Sequence, residues 1–255
     1  MQNQKKMRRD GPLVKKQIKD KQRMHYNLSK KDAKIICDRY ENLYQGYGYS
    51  PRTLDWDKGK QDMRFSILTS QFNFQNTEVL DIGCGFGDLN RILSARTDNQ
   101  YKYHGVDIVP SFISEARRQY NSDKVNFYCG DFLAMDLPEV DYAIASGIFN
   151  FKLKDSDNYN FIEQTMKKAF SLSRVGFAFD FLSDKVDYGK EMTFHSSPEK
   201  ILAFAYGLSR NVSLLNNYMP FEFSVFVFKD DSFDPKYTIF NRWFESNPGV
   251  DKELL

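Results

Sequence analysis

The chain has 255 residues, 41% apolar and 27% charged, enough to bury the core of one α/β domain with extensions. No stretch approaches the ~18 consecutive apolar residues of a membrane span, and no apolar run follows the basic N-terminal residues as in a signal peptide. The net charge is +2, but residues 1–31 hold 11 Lys/Arg against 2 Asp/Glu while the remainder carries a net −7, so basic character is confined to the N-terminal arm.

Residues 1–28 read as a flexible basic arm. Ser29-Lys-Lys-Asp32 has the form of a capping box, opening a helix to about residue 43 with Ala33, Ile36, Cys37, Tyr40 and Tyr44 at helical spacing. A Gly- and Tyr-rich loop over 44–56 precedes a second helix over about 58–72, with Met63, Ile67 and Leu68 turned inward. Residues 29–76 therefore read as a helical cap on a main domain at 77–229. That domain starts with a strand at 77–82. Helices near 87–95 and 110–120 then alternate with strands near 101–106 and 124–129. A strand at 141–146, a helix over 156–171 and a strand at 175–181 follow. The buried helix face is expected to be Phe161, Ile162, Thr165, Met166, Ala169 and Phe170. Ser197-Pro198-Glu199 supplies an N-cap and a first-turn proline for a helix to about residue 209. Strands near 211–216 and 221–228 are joined by a gap short enough to imply an antiparallel hairpin. The second alternates Phe221, Glu222, Phe223, Ser224 as a two-faced strand does. Residues 230–255 form a polar tail whose aromatic patch, 237–244, packs either on the body or on a second copy of the chain. The expected fold is α/β and Rossmann-like. Its seven-stranded, mostly parallel sheet ends in a C-terminal antiparallel hairpin and carries helices on both faces.

The segment Val79-Leu-Asp-Ile-Gly-Cys-Gly-Phe-Gly87 joins a buried strand to a glycine-rich turn, the arrangement that holds nucleotide-like cofactors. A dinucleotide fingerprint needs G-x-G-x-x-G, so that the pyrophosphate sits on the helix N-terminus. Here the spacing is G-x-G-x-G and position 88 is Asp, which repels a pyrophosphate and tolerates a cation. Asp81 likewise suits a positive amino group, and S-adenosylmethionine (SAM) carries an ammonium and a sulfonium. A second carboxylate, Asp107, closes the next strand and is placed to grip ribose hydroxyls. A third, Asp131, follows the third strand and can accept from an adenine amino group with Phe132 against the ring.

On Asp81-Ile-Gly-Cys-Gly-Phe-Gly87, Asp107 and Gly130-Asp131-Phe132, the chain resembles the class I SAM-dependent methyltransferases over about residues 59–229. The resemblance implies SAM as cofactor and S-adenosylhomocysteine (SAH) as product. It places Gly83, Cys84, Gly85 and Gly87 around the methionine part, Asp107 and Ile108 at the ribose, and Asp131 and Phe132 at the adenine. Ser146 completes that site. Arg64 is placed either to grip the SAM carboxylate or an anionic acceptor, or in a surface salt bridge.

The acceptor side is expected past the fourth strand, at Ser146-Gly-Ile-Phe-Asn-Phe151. The Asn/Asp-Pro-Pro-Tyr/Phe motif of enzymes that methylate base amines or amide nitrogens is missing. The acidic sets of metal-dependent catechol-type enzymes are missing too, so no metal is expected. Ile148 and Asn150 are candidate acceptor contacts, Asn150 being either that or a loop cap. His195 lies in the long segment after the fifth strand with Tyr188; it is either a base for a hydroxyl acceptor or a loop residue before the Ser197 cap. His25 falls in the arm, and His104 inside a strand reads as packed structure. Tyr47 and Tyr49 suit a cover over the site, with Arg52 and Trp56 as further contacts. The stretches 48–56 and 145–151 resemble a bacterial subgroup linked to modification of capsule and other surface carbohydrate, phosphoramidate decorations included. The expected activity is metal-independent O-methylation of a small, sugar-derived acceptor. The alternatives are an RNA methyltransferase using the arm, or a SAM-binding protein without catalysis. Nucleic acid is not the expected partner, because the body offers no basic surface to extend the arm. Cys37, Cys84 and Cys129 have neither metal nor redox spacing and fit reduced thiols in the cytoplasm.

Overall fold

The computed structural model describes residues 28–54 and 60–250. His25 and Trp56 lie outside the described residues, as does nearly all of the basic arm. Helix α1 (Lys30–Tyr47) begins at the expected cap: Ser29 Oγ accepts from the Asp32 amide. A 3-10 turn (Pro51–Leu54) and α2 (Gln61–Leu68) lead into the sheet. The second helix is shorter than the 58–72 expected. Thr69 and Ser70 bond back through their hydroxyls to the Phe65 and Ile67 carbonyls and end it. Its buried face is Phe65 and Leu68, whereas Met63 is exposed.

The strands are β1 (Thr77–Ile82), β2 (Tyr101–Asp107), β3 (Val125–Cys129), β4 (Val140–Ala145), β5 (Ser173–Leu182), β6 (Val212–Leu215) and β7 (Glu222–Phe228). Between them run α3 (Leu89–Thr97), α4 (Pro110–Gln119), α5 (Asn158–Leu172) and α6 (Pro198–Tyr206). The sheet order is β3-β2-β1-β4-β5-β7-β6, with β7 antiparallel to both neighbours and the other pairs parallel. This is the expected seven-stranded Rossmann-like architecture. Alternation along the strands sends Leu80, Ala143, Phe177, Phe179 and Val225 to one face, against Ile162, Met166 and Ala169 of α5 and Ile201 of α6. Val79, Tyr103, Ile144, Ala178 and Phe226 go to the other face, against Phe65, Leu93 and Ile113 of α2, α3 and α4.

The alternation expected of β7 does not divide it into a buried and a solvent face: all seven residues are buried, because the strand lies inside the sheet under helices on both faces. Gly176 permits this, since a Cβ there would lie 2.3 Å from the Val227 carbonyl oxygen. The tail adds a ribbon, β8 (Phe233–Asp234) with β9 (Ile239–Phe240), and α7 (Asn241–Ser246). It folds back on the body: Phe244 is buried, and Arg242 donates to the Gln71 carbonyl and stacks on Phe228. Among the described residues, no helix is long and apolar enough to cross a membrane.

The strand order reverses between β1 and β4, so the connections diverge there and open a crevice at the carboxyl ends of the strands. Helix α1 roofs part of it. The Asp32 carboxylate, fully buried, accepts from the amides of Lys154 (2.8 Å), Asp155 (3.1 Å) and Ser156 (2.7 Å) on the loop after β4. Burial pushes this carboxyl up, and the amide donors outweigh burial, so it sits below its ordinary value.

Candidate active site

The crevice is a cleft of about 780 Å³, within the size range of small-molecule sites. Its floor is the β1 turn. Gly83 and Cys84 both donate their amides to the Val106 carbonyl, which fixes the turn against β2. Gly83 has φ +69°, and a Cβ there would lie 2.1 Å from Cγ2 of Ile148, which packs over the turn. Gly83→Ala therefore combines a left-handed backbone with a clash, and it is expected to lower Tm and weaken SAH at least about tenfold. Adding Ile148→Ala removes the clash and restores part of the affinity, a pattern that melting curves and SAH titration of both variants would check.

Asp81 lines the cleft at 2% exposure, accepting from the Tyr103 hydroxyl at 2.6 Å. Asp107 also lines it, accepting from the Gly85 and Val109 amides, each at 2.9 Å. Burial pushes Asp81 up to about 7 and Asp107 up to about 6. Among the described residues no cationic side chain offsets either shift, so a cationic ligand fits beside Asp81. Asp131 accepts from the Leu133 amide (2.9 Å) and from the Leu28 amide (3.2 Å), where the arm enters α1. Cys84, Gly85, Ile108 and Phe132 complete this half of the wall. Gly87 is off the wall and serves the turn, its carbonyl accepting from the Asn90 side chain. Asp88 is also off the wall. Its Oδ1 accepts from the hydroxyls of Tyr49 (2.7 Å) and Tyr120 (3.3 Å), so it does not face a cofactor cation.

The other half of the cleft is formed by Ser146, Ile148, Asn150, Phe151, Tyr188, His195, Phe221, Arg64 and Glu222. Arg64 lies on the cleft wall and not at the surface, where it makes a bidentate pair with Glu222, both side chains nearly buried. Asp180, buried and pushed up to about 6 by burial, accepts from the Ser146 hydroxyl (2.6 Å) and the Gly147 amide (2.7 Å). Two residues of the cleft wall each hold a buried side-chain atom without a hydrogen-bond partner among the described residues: Asn150 at Oδ1 and His195 at Nε2. His195 Nδ1 lies 2.8 Å from the Ser183 carbonyl oxygen. A carbonyl only accepts, so Nδ1 carries the hydrogen and Nε2 is a bare acceptor.

Tyr47 and Arg52 are exposed and off the wall. Tyr49 is committed to Asp88, so neither tyrosine covers the cleft. His104 is packed beside Tyr128, as expected. The sequence reading missed the wall residues Ile36, Arg39 and Tyr40 of α1, and Glu222. A lone carboxylate opening a strand with four aromatic or β-branched residues at its end was the available signal for Glu222.

The raised carboxylates set the pH response. Each has a folded value above its unfolded one, near 3.8, so its stabilising contribution is full below that value and is lost as pH rises through about 6 to 7. The ligand-free protein is therefore expected to melt higher at about pH 6 than at about pH 8. His104, lowered by burial, opposes this only below its unfolded value. SAH affinity should run the other way, rising with pH as Asp81 ionises to meet the ammonium. Melting curves with and without SAH test both signs, and a ligand-free Tm that rises with pH would refute the assignment.

Residues 79–169 match the family described as "Methyltransferase domain". Rv1506c of Mycobacterium tuberculosis, assigned as a methyltransferase, is 32% identical over 160 residues, 59% of this chain and 92% of that protein. Malonyl-[acyl-carrier protein] O-methyltransferase of Priestia megaterium is 23% identical over 144 residues, 56% of this chain and 47% of that protein. Among solved structures, SAH-bound magnesium protoporphyrin IX methyltransferase of Synechocystis PCC 6803 superposes with a TM-score of 0.57 at 14% identity. The superposition covers 78% of this chain and 99% of that one.

Proposed function

Because the chain belongs to the SAM-dependent methyltransferases, we propose that it methylates a hydroxyl of a small, carbohydrate-derived acceptor, with His195 as general base. The observation that carries this is the unpartnered Nε2 of His195, a cleft-wall residue whose ring is oriented by the Ser183 carbonyl at Nδ1. Bound SAM supplies an electrophilic methyl group on a sulfonium. Asp81 holds the ammonium, Asp107 the ribose and Asp131 the adenine edge. His195 Nε2 takes the hydroxyl proton as the oxygen becomes nucleophilic. Asn150 Oδ1 accepts from a neighbouring acceptor hydroxyl and aligns the attack. A hydroxyl oxygen becomes a good nucleophile only as its proton is taken, so a base beside the acceptor suits oxygen. The O-methyltransferase among the relatives supports the same atom choice.

The carbohydrate class is supported by the wall itself. The Tyr188 and Phe221 rings, edge to face at 5.4 Å, suit the C–H face of a sugar, and the Arg64–Glu222 pair suits its hydroxyls. The resemblance of residues 48–56 and 145–151 to a capsule-modifying subgroup points the same way. Methyl-labelled SAM offered with sugar phosphates, nucleotide sugars and RNA tests the class. Label in a carbohydrate supports it, and label in RNA alone would overturn it.

A further inference from the structure

We propose that Asp32 is a positioning residue for the acceptor half, and that through it α1 makes the acceptor loops respond to the cofactor. The proposal rests on the roles given above to Asn150 and His195. Asp32 touches neither half of the cleft, yet its fully buried carboxylate is the anchor of the loop after β4. It accepts from three successive amides there, at 154–156, and from the Ser29 hydroxyl at 3.1 Å. The three amides lie 122 to 124 residues away along the chain, so their bonds fix tertiary position and not merely the helix start. The Ser29 amide adds a bond of its own to Ser156 Oγ.

The anchored loop is in turn sewn to the segment carrying His195. The Phe194 amide donates to the Asn150 carbonyl and the Lys152 amide to the Met192 carbonyl, each at 2.9 Å, and Phe151 bridges to Thr193. Asp32, Asn150 and His195 are therefore connected through these two sets of hydrogen bonds and the short stretches of chain between them. Further contacts of α1 and the residues just before it run to the cofactor half. Leu28 donates to Asp131, Cys37 Sγ to the Ile108 carbonyl, and Glu41 accepts from Ser111 at the start of α4. Ile36, Arg39 and Tyr40 of the same helix form cleft wall. A cofactor packed against α1 makes contacts that a displaced α1 does not offer. Its binding therefore favours the seated helix and, through Asp32, the seated acceptor loops.

The test is amide hydrogen exchange of the full chain with and without SAH, in the parent protein and in Asp32→Asn and Asp32→Ala. Asn keeps one acceptor oxygen and loses the charge, so it reports even if the alanine variant does not fold. In the parent, SAH is expected to slow exchange at 190–196 about tenfold. In Asp32→Asn that slowing should fall below about twofold, while the slowing at 83–89 and the SAH affinity persist. His195→Gln should keep the full slowing at 190–196, which separates this proposal from the base assignment. The absence of slowing at 190–196 in the parent would overturn it. So would undiminished slowing in Asp32→Asn, or a loss in that variant of SAH binding altogether.

Discussion

Asp107→Ala is expected to weaken SAH binding about 50-fold or more while leaving the chain folded. The carboxylate sits at the end of β2 on the cleft wall, where both oxygens are already engaged by amides, Gly85 on one and Val109 on the other. Each oxygen keeps a second lone pair for a ribose hydroxyl. Removing the side chain therefore removes two charge-assisted contacts to the sugar, at roughly 1.5–3 kcal/mol each, and leaves the Gly85 amide without its acceptor. The second loss loosens the turn that carries the methionine part, so the effects compound. Asp107→Asn should fall between, since it keeps one acceptor and turns an amide donor toward another donor. Calorimetric titration with SAH measures both variants. Affinity within threefold of the parent in Asp107→Ala would remove ribose binding from this residue.

His195→Gln is expected to lower kcat by about 10²–10³ with SAH affinity unchanged. Glutamine can still hydrogen-bond at that point of the wall, but it cannot take the proton of the attacking hydroxyl. A variant that retains the parent's rate would leave His195 as a loop residue whose only task is its bond to Ser183.

The cofactor half was legible in the sequence because sheet geometry puts strand ends at regular intervals, so Asp81, Asp107 and Asp131 stand out as carboxylates at three successive crossings. The acceptor half was not, because its contacts are long-range. Arg64 and Glu222 meet across 158 residues, and no local pattern distinguishes that pair from two surface charges. Asp32 looked like a helix cap residue, and its three loop amides are invisible without the tertiary fold. Tyr47 and Tyr49 were attractive as a cover because glycines flank them. The competing event is local: the Tyr49 hydroxyl satisfies Asp88, a carboxylate that is 7% exposed, and that draws the loop off the cleft. The same bond explains why an acid is tolerated at the start of α3. His195 was legible as a candidate only; the orientation of its ring depends on the Ser183 carbonyl.

The most direct test of the account is the carbon-13 spectrum of the product formed from methyl-labelled SAM and a pool of small hydroxylated metabolites. The account predicts a methyl carbon bonded to oxygen on a carbohydrate, formed by the parent protein and nearly absent with His195→Gln. A methyl carbon bonded to nitrogen, or an oxygen-bound one formed equally well by His195→Gln, would contradict it.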